Sequence, residues 1–340
     1  MDRTRKRVAD LLGAPAAERI VFAFNGTDAL NMALHGLLRP GDHVVTTAAE
    51  HNSVMRPLHA LRKRGVEMTI VPVDAAGRVD PDTLVAAIGP ATRCIAVTHA
   101  SNVTGAVQPV EAIVARAREH GVAVLIDAAQ TAGHVPLDVR RLGCSLLACS
   151  GHKGLLGPLG TGVLYVAEGM EQQIEPLRQG GTGSFSELLE QPQTMPDRFE
   201  SGNPNVVGLL GLEAAVEWLT SRTVSAVRAH IVELLRRLRD GLASIPGVRV
   251  FGPEDVQANA GIVSFALTGA DVQTVASVLD QRFGIEARAG LHCAPLIHAA
   301  IGSDAFGGTV RFAPGPFTTP EEIDAAVAAV EQIAHAFVSA

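Results

Sequence analysis

The run Val122-Ala123-Val124-Leu125-Ile126 is apolar without a break and ends in a carboxylate, Asp127. A strand with no alternation between apolar and polar positions has to be covered on both faces, which suits a parallel sheet packed between helices. The pattern recurs along the chain. Strands are read at Arg19 to Phe24, His43 to Thr47, Glu67 to Val73, Thr92 to Thr98, Ser145 to Cys149 and Gly162 to Val166. Helices are read between them at Ala29 to Leu38, Pro81 to Ile88 and Val110 to His120, after a first helix at Arg3 to Leu12 that Gly13 and Pro15 close. This alternation predicts an α/β fold with a mostly parallel sheet, whose ligands sit beyond the carboxyl ends of the strands.

Past a helix at Val206 to Leu219 the pattern changes. A long amphipathic helix runs through Leu242, followed by strands Val248 to Gly252 and Gly261 to Leu267, a helix near Asp271 to Phe283 and a closing helix from Pro320. These elements read as a smaller α+β domain. With 340 residues the chain exceeds the size at which one core stops growing, so the expectation is a large domain over residues 1–220 and a small one over residues 221–340.

Hydrophobic residues make up 47% and charged residues 19%, which excludes a disordered chain. The net charge of −7 offers no basic footprint for nucleic acid or an anionic membrane, so the expected partner is a small molecule. Met1 to Arg7 is charged with no apolar segment behind it, and no long apolar run follows; neither a signal peptide nor a membrane span is expected, and the chain is placed in the cytoplasm. Cys94, Cys144, Cys149 and Cys293 lack the pairing of a zinc site and are too few for a disulfide scaffold. No metal is expected.

Three polar clusters follow predicted strands: Thr98 to Gly105, Asp127-Ala128-Ala129-Gln130, and Ser150-Gly151-His152-Lys153. Three strand ends aimed at one place make a site. Within it Lys153 is the candidate reacting group, because a partly desolvated amine loses its proton readily and attacks carbonyls. Asp127, at the end of a buried strand, is expected to meet a cationic partner, since an unpaired buried carboxylate is costly. Asn25-Gly26-Thr27-Asp28 joins a strand to a helix, an arrangement that also binds anions, although a plain helix cap would need no ligand. In the small domain, Cys293 follows His292, lies near Arg288 and is read as opening a helix, a setting that favours thiolate. Arg311 interrupts an apolar strand and is expected to bind a carboxylate.

A lysine after Ser-Gly-His, an aspartate and glutamine at a strand end, and a Gly-Thr helix start suggest pyridoxal phosphate. Together with Glu50-His51-Asn52, His99 to Gly105, Arg198 to Asn205 and Arg288 to Ala294 in this order, they make the chain resemble the class V aminotransferases of fold type I, and within them the SufS-like second group of cysteine desulfurases. The likeness runs from about Val8 to the C-terminus. It implies the fold type I architecture, with a large pyridoxal-phosphate domain and a small domain carrying the cysteine loop. Lys153 is then the Schiff-base lysine and the acid/base at the substrate Cα. Asp127 keeps the pyridinium protonated, Gln130 donates to the phenolic oxygen, and His51 stacks on the ring. Gly26, Thr27, Ser150 and His152 cradle the phosphate, and Asn102, Arg311 and Arg288 face the substrate carboxylate. Cys293 attacks the sulfur of L-cysteine, leaving a persulfide and releasing L-alanine. The resemblance also implies a homodimer, with Asn203 in place of a threonine that reaches the partner's phosphate, a sulfur-acceptor protein, and a further N-terminal segment bordering the site. A selenocysteine lyase acting on L-selenocysteine, or another C–S lyase, would share every cofactor contact. A reading of a different class is a non-catalytic protein of this fold that binds partners or accepts sulfur.

Overall fold

In the computed structural model, which describes residues 1–338, seven strands form one sheet. They are β1 (Ile20–Ala23), β2 (His43–Thr47), β3 (Glu67–Val71), β4 (Thr92–Thr98), β5 (Ala123–Asp127), β6 (Leu146–Ser150) and β7 (Gly162–Val166), in the order β1-β7-β6-β5-β4-β2-β3. The pairings from β6 through β3 are parallel. At the other edge β7 runs antiparallel to β6, and β1 antiparallel to β7. The sheet is thus mixed at that edge rather than parallel throughout.

Alternate residues of each strand feed two separate cores. One face, with Val21, Val44, Cys94, Ala96, Leu125 and Leu146, packs on the apolar stripes of helices Gly26–Leu37 and Asn52–Arg62. The opposite face packs on helices that include Val110–Glu119 and Val206–Arg222, and its core continues into the C-terminal part of the chain. Burial on both faces is the physical reason the strands carry no polar alternation.

The second sheet has four antiparallel strands, β8 (Val248–Phe251), β9 (Val263–Leu267), β10 (Arg288–Gly290) and β11 (Thr309–Phe312), in the order β10-β11-β9-β8. Helices Val224–Ala243 and Val272–Phe283 bury their apolar stripes against the core that covers it. Helix Val206–Arg222 hands over to Val224–Ala243 at Thr223, whose φ of 65° turns the chain and whose side chain caps the second helix at Ala226 N. A large sheet domain with a smaller α+β domain is the architecture expected of the chain.

One local expectation fails. Cys293 does not open a helix. Leu291 to Leu296 form turns, the next helix starts at Ile297, and both His292 (φ 48°) and Cys293 (φ 60°) adopt the left-handed conformation that non-glycine residues rarely take. Two residues in succession at positive φ cannot start a right-handed helix. Just before them, β10 pairs with β11 over three residues, too short a run for periodicity to reveal.

Candidate active site

The carboxyl ends of β4, β5 and β6 border a cavity of about 480 Å³, lined among others by Thr98, Asn102, Asp127, Gln130, Ser150 and Lys153. That volume suits a small molecule. Gly26, Thr27, His51, His152 and Arg288 complete the lining named from sequence. Cys293 and Arg311 each touch a lining residue, Arg288 and Asn102 respectively, while Asn203 lies elsewhere, on an exposed loop that shares a groove with Phe24 and Arg178.

The helix at Gly26 begins where the sheet ends. Its cap is Asn25, whose Oδ1 accepts from Asp28 N at 2.9 Å, not the Thr27 hydroxyl. A Cβ on Gly26 would come within 2.5 Å of Ser150 Oγ, so only glycine lets the helix start approach β6 this closely. The free first-turn N–H groups and the helix dipole favour an anion there. Thr27 Oγ1 meets Ser53 Oγ at 2.7 Å, and Ser53 Oγ meets His51 Nδ1 at 2.8 Å. This hydroxyl chain ties the anion-binding end of the cavity to the imidazole.

Asp127 is buried, with Oδ1 accepting from Ala129 N at 2.9 Å. Among the described residues no cation lies in salt-bridge contact with it; Lys153 is the positive charge that offsets its burial, and burial pushes its carboxyl above the ordinary range. The expected cationic partner is therefore not a neighbouring side chain in contact. Lys153 is itself shifted down, by burial first; Asp127 opposes that shift and Arg311 and Arg288 add to it. His51 falls to about 4, through burial and then Lys153 and the nearby arginines, so its ring is neutral at any ordinary pH. Among the described residues, His152 Nδ1 and Asn102 Oδ1 are buried without a hydrogen-bond partner.

On the small-domain side, Arg288 and Arg311 lie opposite each other across β10 and β11. Arg288 Nη2 is 3.1 Å from Cys293 Sγ, and Arg311 Nη1 donates to the Asn102 carbonyl at 2.8 Å. Burial and the Arg288 charge bring Arg311 down to about 10. Two guanidiniums on paired positions, with no carboxylate in salt-bridge contact among the described residues, make a receptor for an anionic group.

Asn25 and Glu50 stand in the sequence reading only as members of longer motifs, without a role of their own, and Ser53 has none. Asn25 carried a usable signal, as a strong capping type directly before the helix. Glu50 carried a motif but no sign of its enclosure, on which its role depends. Its Oε1 accepts from Thr47 Oγ1 at 2.6 Å and from Thr98 N at 3.1 Å, while Oε2 has no partner among the described residues.

Fold and site together define a fold type I architecture, with an anion cradle, a desolvated lysine and a buried aspartate at the carboxyl ends of parallel strands. Comparison with known proteins takes this further: the aminotransferase class-V family matches residues 1–326, and the chain belongs to that family. It is 36% identical to a probable cysteine desulfurase of Methanothermobacter thermautotrophicus, over 98% of this chain and 84% of that protein. Among solved structures it is similar to the apo cysteine desulfurase of Thermococcus onnurineus (TM-score 0.91, 32% identity, 98% of this chain and 84% of that one). It is also similar to the cysteine desulfurase CsdA of Escherichia coli (TM-score 0.88, 32% identity, 97% and 82%). The unpartnered His152 Nδ1, the Asp127 carboxyl without a contacting cation and the helix start that Gly26 lets close onto Ser150 fit pyridoxal phosphate.

Proposed function

We propose that this chain is a pyridoxal-phosphate-dependent cysteine desulfurase, converting L-cysteine to L-alanine and holding the sulfur as a persulfide on Cys293. The observation that carries the reading is the juxtaposition of a desolvated lysine and buried aspartate in one cavity with a half-buried thiol, 3.1 Å from the cavity-lining Arg288. Relatives that bear the name cysteine desulfurase support it.

Asp127 would face the ring nitrogen, Gln130 its phenolic oxygen and His51 the ring face, with Gly26, Thr27, Ser150 and His152 around the phosphate. Bound there, the cofactor supplies an electron sink for the substrate Cα. Lys153 holds the cofactor and then moves a proton at the substrate Cα, a task its lowered pKa suits. Arg311, Arg288 and Asn102 hold the α-carboxylate. The Cys293 thiolate takes the substrate sulfur: an S–S bond forms as the C–S bond breaks, the bonding electrons pass to carbon, and protonation of that carbon completes alanine. Sulfur is oxidised and carbon reduced, so no outside oxidant is required. The persulfide then goes to a sulfur-acceptor protein.

The protein is further read as a homodimer. Asn203 shares a groove with the exposed Phe24, and Val206 and Val207 expose apolar surface just beyond it in the chain. Light scattering should give twice the 35.5 kDa of one chain.

The decisive assay incubates the protein with pyridoxal phosphate and L-cysteine, follows alanine, and seeks added sulfur on the Cys293 peptide by mass spectrometry. Alanine with a Cys293 persulfide is expected, and Cys293→Ala should form neither. Full activity of that variant on L-cysteine would rule the persulfide route out. Alanine formed from L-selenocysteine but not from L-cysteine would point to the lyase instead.

A further inference from the structure

The thiol loop is held by contacts from the large domain. Asn52 N donates to the Cys293 carbonyl at 2.7 Å, and Asn102 Nδ2 donates to the His292 carbonyl at 2.6 Å. These are the carbonyls of the two residues at positive φ. His292 is fixed from the other side, its Nε2 within 2.9 Å of the Thr309 carbonyl and 2.8 Å of Thr309 Oγ1.

Asn102 belongs both to the cavity wall and to the anchor of the loop backbone. Its amide orientation is set by the His292 carbonyl, which requires a donor. A carboxamide has two N–H groups, so one can stay on the loop while the other meets a ligand carboxylate. Its Oδ1 is buried and, among the described residues, has no hydrogen-bond partner. Its backbone carbonyl receives Arg311.

We propose that Asn102 is a positioning residue for Cys293: its bond to the His292 carbonyl holds the thiol loop in its left-handed turn and links ligand binding in the cavity to the placement of Sγ. The inference rests on the reading of Cys293 as the reacting thiol, and adds to Asn102 a task separate from holding a carboxylate.

The test labels the pyridoxal-phosphate-loaded protein with iodoacetamide and follows each cysteine by mass spectrometry. Cys94, Cys144 and Cys149 are buried and report any general loosening. Asn102→Ala removes the donor. Asn102→Asp keeps the shape but replaces the donor with an acceptor that repels the His292 carbonyl. Both variants should change the Cys293 labelling rate by about fivefold or more, with the three buried thiols unlabelled and the cofactor absorbance retained. In the parent protein L-alanine should alter Cys293 labelling, and in both variants it should not. Parent-like labelling in both variants, within a factor of two, overturns the proposal; so does labelling of the buried thiols in step with Cys293. No desulfuration is needed for this readout, so a failure to form alanine would sink the proposed reaction and leave the labelling result standing.

Discussion

Glu50 is a carboxyl group sealed from water, with one oxygen bonded to Thr47 and Thr98 and the other to nothing among the described residues. Burial raises it to about 8 from an ordinary 4.5, and the Asp127 charge adds to the rise. Below pH 4.5 both folded and unfolded chains hold the proton and Glu50 contributes no pH dependence. Between pH 4.5 and 8 the unfolded chain releases a proton that the folded chain keeps, so stability falls as pH rises, by roughly 4–5 kcal/mol over that interval. Glu50→Gln keeps both acceptor bonds and cannot ionise. Its melting temperature relative to the parent should therefore rise from pH 5 to pH 8, as calorimetry would show; a pH-independent difference would mean that Glu50 is ionised when folded. Gly26→Ala tests the cradle, because the new Cβ meets Ser150 Oγ. Cofactor affinity should drop by about tenfold or more, some 1.4 kcal/mol, in a fluorescence titration. These two residues also bound what sequence can reveal. Gly26 stood in a recognisable strand-to-helix turn, whereas nothing near Glu50 signals that a glutamate is wholly enclosed.

At the scale of elements, strands His43–Thr47, Thr92–Thr98 and Gly162–Val166 match the sequence reading at both ends. Their runs are bounded by polar or turn-forming residues, so local chemistry fixes them. What stayed hidden was pairing. The antiparallel edge of β1 and β7 and the three-residue β10 depend on partners far away in the chain, and the cysteine turn depends on donors in the other domain. The first helix shows how such distant contacts hold an edge. Arg5 Nη1 and Nη2 meet Glu200 at 2.6 and 2.8 Å, Arg5 also donates to the Ile20 carbonyl, and Phe22 N donates to Glu200 at 2.6 Å. Glu200→Ala would leave Arg5 buried and unpaired, a loss of about 3–5 kcal/mol. The urea midpoint should fall accordingly, and Glu200→Gln should recover part of it.

At the scale of the molecule, the large domain supplies the candidate cofactor contacts and the small domain supplies the thiol and both arginines, so the cavity takes residues from both. A ligand that binds only the folded chain raises stability by about 2.7 kcal/mol at a hundred times its Kd. Pyridoxal phosphate should thus raise the melting temperature, pyridoxal should do so less, and Lys153→Ala should shrink the phosphate compound's effect; equal shifts for both compounds would argue against the anion cradle. The order of the sheet also bears on how the molecule forms. Ile20, among the first residues of the chain, lies opposite Tyr165. Until β7 exists, β1 has no neighbour, and β2 through β6 form a parallel array built only from non-local pairings. Closing so long a loop adds little to the equilibrium cost but slows the search for it. Refolding from urea should therefore be slow and sensitive to protein concentration, with the unpaired flank of β6 the place where two half-formed chains would stick together.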